Sequence, residues 1–456
     1  MMERILAYHS QLNALVWGPP LIIALMGTGL FLTIWTSGIQ FRRFGAAMGE
    51  VLGKLRSKGT GTGTVTPFQA VATALASTVG VGNIAGVATA IHLGGPGALF
   101  WLLVSGLLGM CTKFCEITAA LHYREEHANG VMRGGAMYIL KKGLGLPWLA
   151  TLFALFTSLA AFGIGNMVQA NSVSAALQAS FGIDTRVSAV ILMALVAAVV
   201  LGGIRRVAEV AEYLVPFMCI AYVGGATFVL LRFAGEIPGA IGLVLESAFQ
   251  GHAAVGGFAG ATVMQALRFG VARGLFSNEA GLGSAPIVHS AATTDHPVRQ
   301  ALYGIFEVFV DTVIVCLMTG MVILITGVWD QGLTGAELSA KGFEVGLPGV
   351  WGHAVVTIGI LTFAFSTLIG WSFYGETAAV YLFGDRVILP YRLVWVGMVW
   401  FGATGSLRLV WDVADTMNGL MAIPNLIAVL GSAALIRKLV REFFERKELS
   451  ASRSVQ

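Results

Sequence analysis

Eleven apolar runs, each long enough to cross a bilayer, follow one another along this chain, at about 12–35, 67–92, 96–122, 148–178, 187–203, 209–232, 254–290, 298–326, 350–383, 388–404 and 411–436. A helical crossing takes roughly 20 residues. Within lipid every backbone N–H and C=O needs an internal partner, and runs of this length meet that need as helices. The expected fold is therefore an all-α polytopic membrane protein with 11 transmembrane helices. Composition agrees: 56% of the 456 residues are hydrophobic and 11% are charged, against about 25% charged in a soluble domain. That excludes a soluble enzyme, a secreted disulfide scaffold and a disordered chain. The four cysteines (Cys111, Cys115, Cys219, Cys316) lie inside apolar runs without zinc spacing and read as reduced packing residues.

Lys and Arg crowd into alternate loops. Arg42 to Lys58, Arg124 to Lys142, Arg205 and Arg206, Arg299, Arg386 and Arg392, and the tail from Arg437 to Arg453 hold 20 of the 28. Arg4, Arg186, Arg232, Lys341 and Arg408 make up the opposite set. Cytoplasmic loops are the basic ones, so the C-terminus is expected inside and, after eleven crossings, the N-terminus outside. The chain then belongs in the cytoplasmic (inner) membrane. Basic residues scattered between apolar runs do not form a nucleic-acid face. The basic tail reads as a topology anchor, with anionic membrane lipid as the other partner it suits. The Lys54–Thr66 stretch, with its KGTGTGTVT run, reads as a flexible inner loop.

Two runs are interrupted. In the second, Ala76-Ser77-Thr78-Val79-Gly80-Val81-Gly82-Asn83-Ile84-Ala85-Gly86 sets an Asn among glycines at mid-span. In the seventh, Arg273-Gly274-Leu275-Phe276-Ser277-Asn278-Glu279-Ala280-Gly281 mixes charge, amide and glycine. Both patterns favour a broken helix, whose free N–H groups suit a carboxylate and whose free carbonyls suit an ammonium or Na⁺. Close helix packing through small residues is the other reading of the glycines. The breaks lie five spans apart, which points to an inverted repeat with its site between them.

Further polar groups lie in other spans. Asn166 and Gln169 are three apart in the fourth, and Ser366 and Thr367 offer adjacent hydroxyls in the ninth. Ser and Thr in membrane helices also bond their own backbone. Glu307, Asp311 and Glu376 are intramembrane acids, suited to proton relay or to pairing with Arg268 or Arg273. Lys113 and Glu116 are expected to pair locally. No HExxH and no G-x-S-x-G elbow is present, so hydrolase chemistry has nothing to act through.

Together ALASTVGVGNIAGVATAI (74–91), GGPGALFW (94–101), GGAMYIL (134–140), GIGNMVQANS (163–172), RGLFSNEAGLGSAP (273–286) and FAFSTLIGWSFYGE (363–376) resemble the alanine or glycine:cation symporter family. These are sodium-coupled amino-acid carriers with the LeuT-type 5+5 inverted repeat. The resemblance implies an extra helix and basic loop at 1–66, repeats at 67–235 and 236–437, and a basic tail at 438–456. It places a small neutral amino acid between the breaks. Its carboxylate would meet N–H groups near Val81, Gly82 and Asn83 with Gln169, its ammonium the carbonyls at Thr78, Phe276 and Ser277, and its side chain a cap of Trp371 and Phe276; Gly80 would also belong to the substrate site. Sodium, the coupling ion, would lie among the carbonyls of Ala76, Val79 and Phe363 and the hydroxyls of Ser366 and Thr367; a second sodium would lie near Asn83 and Ser277. No cofactor is implied. Departures are Ser77 where glycine is common, Val81 where threonine is frequent, and Leu102-Leu103 in place of Met-Trp. The expected function is import of alanine or glycine, or of D-alanine or serine, by alternating access. Alternatives are a proton-coupled carrier using Glu307, Asp311 or Glu376, an ion channel, and a sensor that binds without transport.

Overall fold

A computed structural model describes residues 11–13, 15–249, 263–405 and 408–453. Helix occupies every apolar run. Among the described residues, seven helices are each long and apolar enough to cross a bilayer unaided: Ala98–Tyr123, Pro147–Phe181, Gly203–Arg232, Pro297–Ile325, Trp351–Phe383, Asp385–Thr404 and Val413–Gly431. Pro67–Thr78 and Gly82–Gly94 form an eighth, bent by 51° at the break. The remaining runs hold shorter helices, Pro19–Trp35, Thr185–Val200 and Val263–Asn278. The start of the seventh run, 254–262, and the expected outer N-terminus with Arg4 lie outside the described residues.

Burial separates lipid-facing from central helices. On Gly203–Arg232, Val207, Ala211, Val215, Met218, Tyr222, Ala226 and Val229 are buried, while Phe217, Ile220, Phe228 and Leu231 face outward. An apolar face that broad has its natural solvent in hydrocarbon. Trp351–Phe383 is instead buried almost all round from Phe363 to Val380, which puts Ser366, Thr367 and Trp371 at the centre of the bundle.

The glycine-rich stretch before the second run is not a loose loop. Thr64 and Val65 donate to Ala291 O at 2.7 and 3.1 Å, and Thr293 donates back to Val65 O at 2.8 Å. The strap lies so close that a Cβ on Gly61, whose φ is +98°, would meet the Thr294 backbone. Arg124 fastens it, donating to Thr62 O at 2.7 Å, Ala292 O at 2.6 Å and Ser290 O at 3.0 Å. Burial pushes the Arg124 guanidinium down to about 10, which leaves it charged at neutral pH. Beyond the strap, Thr66 and Gln69 exchange hydrogen bonds as a capping box with Pro67 at the first turn.

The buried charges pair across helices. Lys113 binds Glu307 at 3.1 Å rather than Glu116, and His289 Nε2 lies 3.0 Å from the other Glu307 oxygen. Glu116 accepts from the Gly281 N–H at 3.0 Å and from Asn425 at 2.5 Å. Glu376 takes Arg133 at 2.8 Å and Arg392 at 2.6 Å. Arg268 and Arg273 are partners of none of the three acids; their guanidiniums lie over Phe269 and Phe276. A desolvated charge needs a close counter-charge, and packing between helices supplies one where neighbours along a single helix do not.

Candidate functional site

Two helix breaks and the long helix Trp351–Phe383 frame the site. At the first break Val79 leaves the helix with ψ 90° after donating to Leu75 O. Asn83 re-forms the turn: its Oδ1 accepts from the Gly80 N–H at 2.8 Å. The Thr78 hydroxyl turns back to Ala74 O. At the second break Asn278 ends Val263–Asn278, and Glu279 adopts φ +56°, a region a non-glycine residue enters only when its surroundings hold it there. Ser284 and Trp371 hold it, donating to the two Glu279 oxygens at 2.5 and 3.0 Å. Helix resumes at Ala285–His289.

Beside the first break, four of the five expected sodium ligands come together. Ser366 Oγ donates to Ala76 O at 3.0 Å and to Phe363 O at 2.9 Å; Thr367 Oγ1 donates to the same two carbonyls at 3.2 and 2.9 Å. The bonds to Phe363 are ordinary back-bonds within a helix. Those to Ala76 cross to another helix, and local backbone habit does not account for them. A Cβ on Gly80 would stand 2.8 Å from Thr367 Oγ1 and 3.9 Å from Gln169 Oε1, so no larger residue fits there undisturbed. Val79, the fifth ligand expected, follows Thr78 at the end of the half-helix.

A second cluster forms around Asp311. Asn83 Nδ2 donates to Asp311 Oδ1 at 2.6 Å, Ser277 Oγ to both carboxylate oxygens at 3.1 and 3.0 Å, and Thr312 Oγ1 to Oδ2 at 2.8 Å. Cys316 Sγ lies 3.3 Å from both Asn83 Nδ2 and Ser277 Oγ. Asp311 is fully buried, and the hydrogen-bond donors named here are all neutral. It ties the two breaks together, and sequence reading kept it apart from Asn83 and Ser277. The one available signal was the cost of an acid in an apolar span.

The remaining expected residues divide between the breaks. The Phe276 ring lies 3.6 Å from a Cβ placed on Gly82. Trp371 is buried against Gly165 and bonded to Glu279. Gln169 Nε2 donates to Ile164 O at 3.0 Å, while its buried Oε1 has no partner among the described residues. Asn166 does not share its face, because Ala161–Met167 is a π-helical turn and Asn166 reaches Trp395 O at 2.8 Å. A cavity of about 660 Å³ runs from Glu337, Lys341 and His353 past Asn171 and Ser172 to Val81 and Ala85. It leads to the first break.

The sodium:alanine symporter family matches residues 2–456. The chain is 45% identical over 450 residues to the sodium/alanine symporter AgcS of Methanococcus maripaludis, covering 97% of this chain and 98% of that one. It is 37% identical over 440 residues to the probable sodium/glutamine symporter GlnT of Bacillus subtilis, covering 96% and 90%. A mutant of the Eremococcus coleocola manganese transporter superposes with TM-score 0.51 at 14% identity, over 84% of this chain and 82% of that one. That likeness shows a shared LeuT-like fold alone. With a broken-helix fold and a family match over nearly its whole length, the chain belongs to the sodium:alanine symporter family, whose members are membrane transporters and not enzymes.

Proposed function

We propose that this chain imports a small neutral amino acid of the alanine or glycine class together with Na⁺ by alternating access, the unit formed around the second, third, seventh and eighth spans rocking against the remaining helices. The observation that carries the reading is the meeting of Ser366 and Thr367 hydroxyls with the Ala76 and Phe363 carbonyls. Four hard oxygens from two helices converge beside a helix break, the ligand type a sodium ion takes. The substrate carboxylate lies at the first turn of the half-helix, at the Val81 and Gly82 N–H groups; the Gly80 and Asn83 N–H groups are taken, by Asn83 Oδ1 at 2.8 Å and Gly80 O at 3.1 Å. Its ammonium meets the carbonyls at Thr78, Phe276 and Ser277. The unpartnered Gln169 Oε1 is an acceptor, so we assign it to the ammonium rather than to the carboxylate expected from sequence. Phe276 and Trp371 bound the side-chain volume.

We assign the second cation to Asp311 with Asn83 and Ser277, since a buried carboxylate with neutral partners calls for a cation or a proton. With all eleven helices crossing and the basic loops inside, the cavity reaching Val81 opens outward. The Arg124 strap and the Arg133–Glu376–Arg392 cluster close the inner face. Uptake of labelled alanine, glycine and glutamine into proteoliposomes under an imposed Na⁺ or H⁺ gradient tests the reading. Concentrative alanine uptake driven by Na⁺ is the expected result. Accumulation that persists without Na⁺ and follows a proton gradient overturns sodium coupling, and binding without uptake leaves a sensor.

A further inference from the structure

The first helix and the C-terminal helix meet in a cleft that the transport site does not use. It has a volume of about 420 Å³ and is lined by Trp35, Arg42, Arg43, Arg437, Val440 and Arg441. Trp35 Nε1 donates to Ala433 O at 2.9 Å, joining the end of Pro19–Trp35 to the start of Ala433–Arg453. The Arg437 guanidinium stands 5.0 Å over the Trp35 ring, and that of Arg43 stands 4.1 Å over Phe444. Among the described side chains one carboxylate, Glu445, shares the cleft and pairs with Arg441 at 2.6 Å. Among the described side chains, Arg42, Arg437 and Arg441 against that one carboxylate leave a concentrated positive charge.

We propose that this cleft holds the headgroup of an anionic phospholipid. Guanidinium is planar and matches phosphate oxygens with paired N–H donors. Basic pockets between helices at a membrane face take such headgroups. What distinguishes a lipid from a free phosphate is the surface above the cleft. Leu30, Phe31 and Ile34 are exposed on the adjoining turns of Pro19–Trp35, and Phe41 is exposed beside Arg42. Acyl chains would run along that apolar face while the phosphate sits among the arginines, with Trp35 at the boundary between them, where indole is favoured. Bound there, the lipid bridges the extra N-terminal helix to the tail. The buried face of the tail, Ile436, Leu439, Phe443 and Phe444, already packs inward, so Arg42 and Arg437 are the arginines placed to meet the headgroup.

The test uses the full chain in nanodiscs of phosphatidylcholine with or without phosphatidylglycerol, with retained lipid counted by native mass spectrometry after mild delipidation. Wild type is expected to retain phosphatidylglycerol over phosphatidylcholine. Arg42→Gln and Arg437→Gln are each expected to lower that retention by roughly fivefold. Arg56→Gln, outside the cleft, is expected to leave it unchanged. Equal retention of the two lipids by wild type overturns the proposal without recourse to any variant. So does an equal loss in Arg56→Gln, which would spread the effect over the whole basic surface. Thermal protection of the wild type by inorganic phosphate as strong as that by phosphatidylglycerol overturns the lipid in favour of a soluble anion.

Discussion

Replacing Ser366 by Ala separates the ion's share of the central oxygen cluster from the fold's share. Ala76 O accepts from both Ser366 and Thr367, and so does Phe363 O. Removing the Ser366 hydroxyl therefore leaves each carbonyl one donor. The loss to folding is on the order of one neutral hydrogen bond, about 1 kcal/mol. In a chain of this length that moves thermal unfolding by no more than a few degrees. The loss to a bound cation is larger, because a polar ligand to a charge contributes about 1.5–3 kcal/mol. At about 1.4 kcal/mol per tenfold, apparent Na⁺ affinity should fall by roughly 10- to 150-fold. Initial rates of labelled alanine uptake into proteoliposomes, titrated with Na⁺ at fixed alanine, measure this directly. A melting curve of the same preparation monitors the fold. Thr367→Ser keeps a hydroxyl at its position and should stay near wild type, whereas Ser366→Ala with Thr367→Ala should lose Na⁺ stimulation. An unchanged Na⁺ titration in the double variant would refute the assignment and reduce both hydroxyls to helix back-bonding.

Other substitutions probe the remaining parts. Asp311→Asn should abolish cooperativity in Na⁺, read as a Hill coefficient falling to 1 with uptake still dependent on Na⁺; unchanged cooperativity would remove Asp311 from the ion path. Gly80→Ala places a methyl 2.8 Å from Thr367 Oγ1, whereas Gly82→Ala meets Phe276 at an ordinary 3.6 Å. The first should therefore raise the Na⁺ requirement, and the second should alter the ratio of glycine to alanine uptake with the Na⁺ requirement kept. Lys113→Met leaves Glu307 buried without its ammonium, a loss of about 3–5 kcal/mol, and adding Glu307→Gln should recover part of it in a denaturation series. Arg124→Gln releases the strap from three carbonyls and should raise the inward-open population, measured by spin-label distances across the inner face.

Helix positions were legible because a crossing demands length and apolarity, and both are local properties of the chain. The breaks were legible for the same reason, since glycine and amide clusters inside an apolar run are local too. Partners of buried polar groups were not. Lys113 and Glu116 share a helical face by spacing, yet Lys113 reaches Glu307 across 194 positions. The site's own polar residues were further hidden by backbone form. Three of the four π-helical segments among the described residues carry Asn83, Asn166 and Asp311. A π turn aligns residues five apart. That register brings both Asp311 and Cys316 to Asn83; α-helical spacing would turn them to different faces. The same wider turn sends Asn166 to Trp395 and away from Gln169.

The two proposed cation positions differ in kind, and the difference bears on coupling. At Ser366 and Thr367 every group is neutral, and the hydroxyls already donate to the Ala76 and Phe363 carbonyls. A sodium ion there competes with hydrogen bonds that otherwise satisfy the site, so the helices can pass through a cation-free state without stranding a polar group. At Asp311 a carboxylate is buried among neutral donors from both breaks, and hydrogen bonds alone do not neutralise it. Asn83, Ser277 and Asp311 lie on the second, seventh and eighth spans, which on the proposed reading rock as one unit, so a cation or proton that neutralises the acid would travel with it. On that reading sodium at the hydroxyl cluster would tune the packing of the long helix on the first break, while a cation at Asp311 would hold the two breaks together.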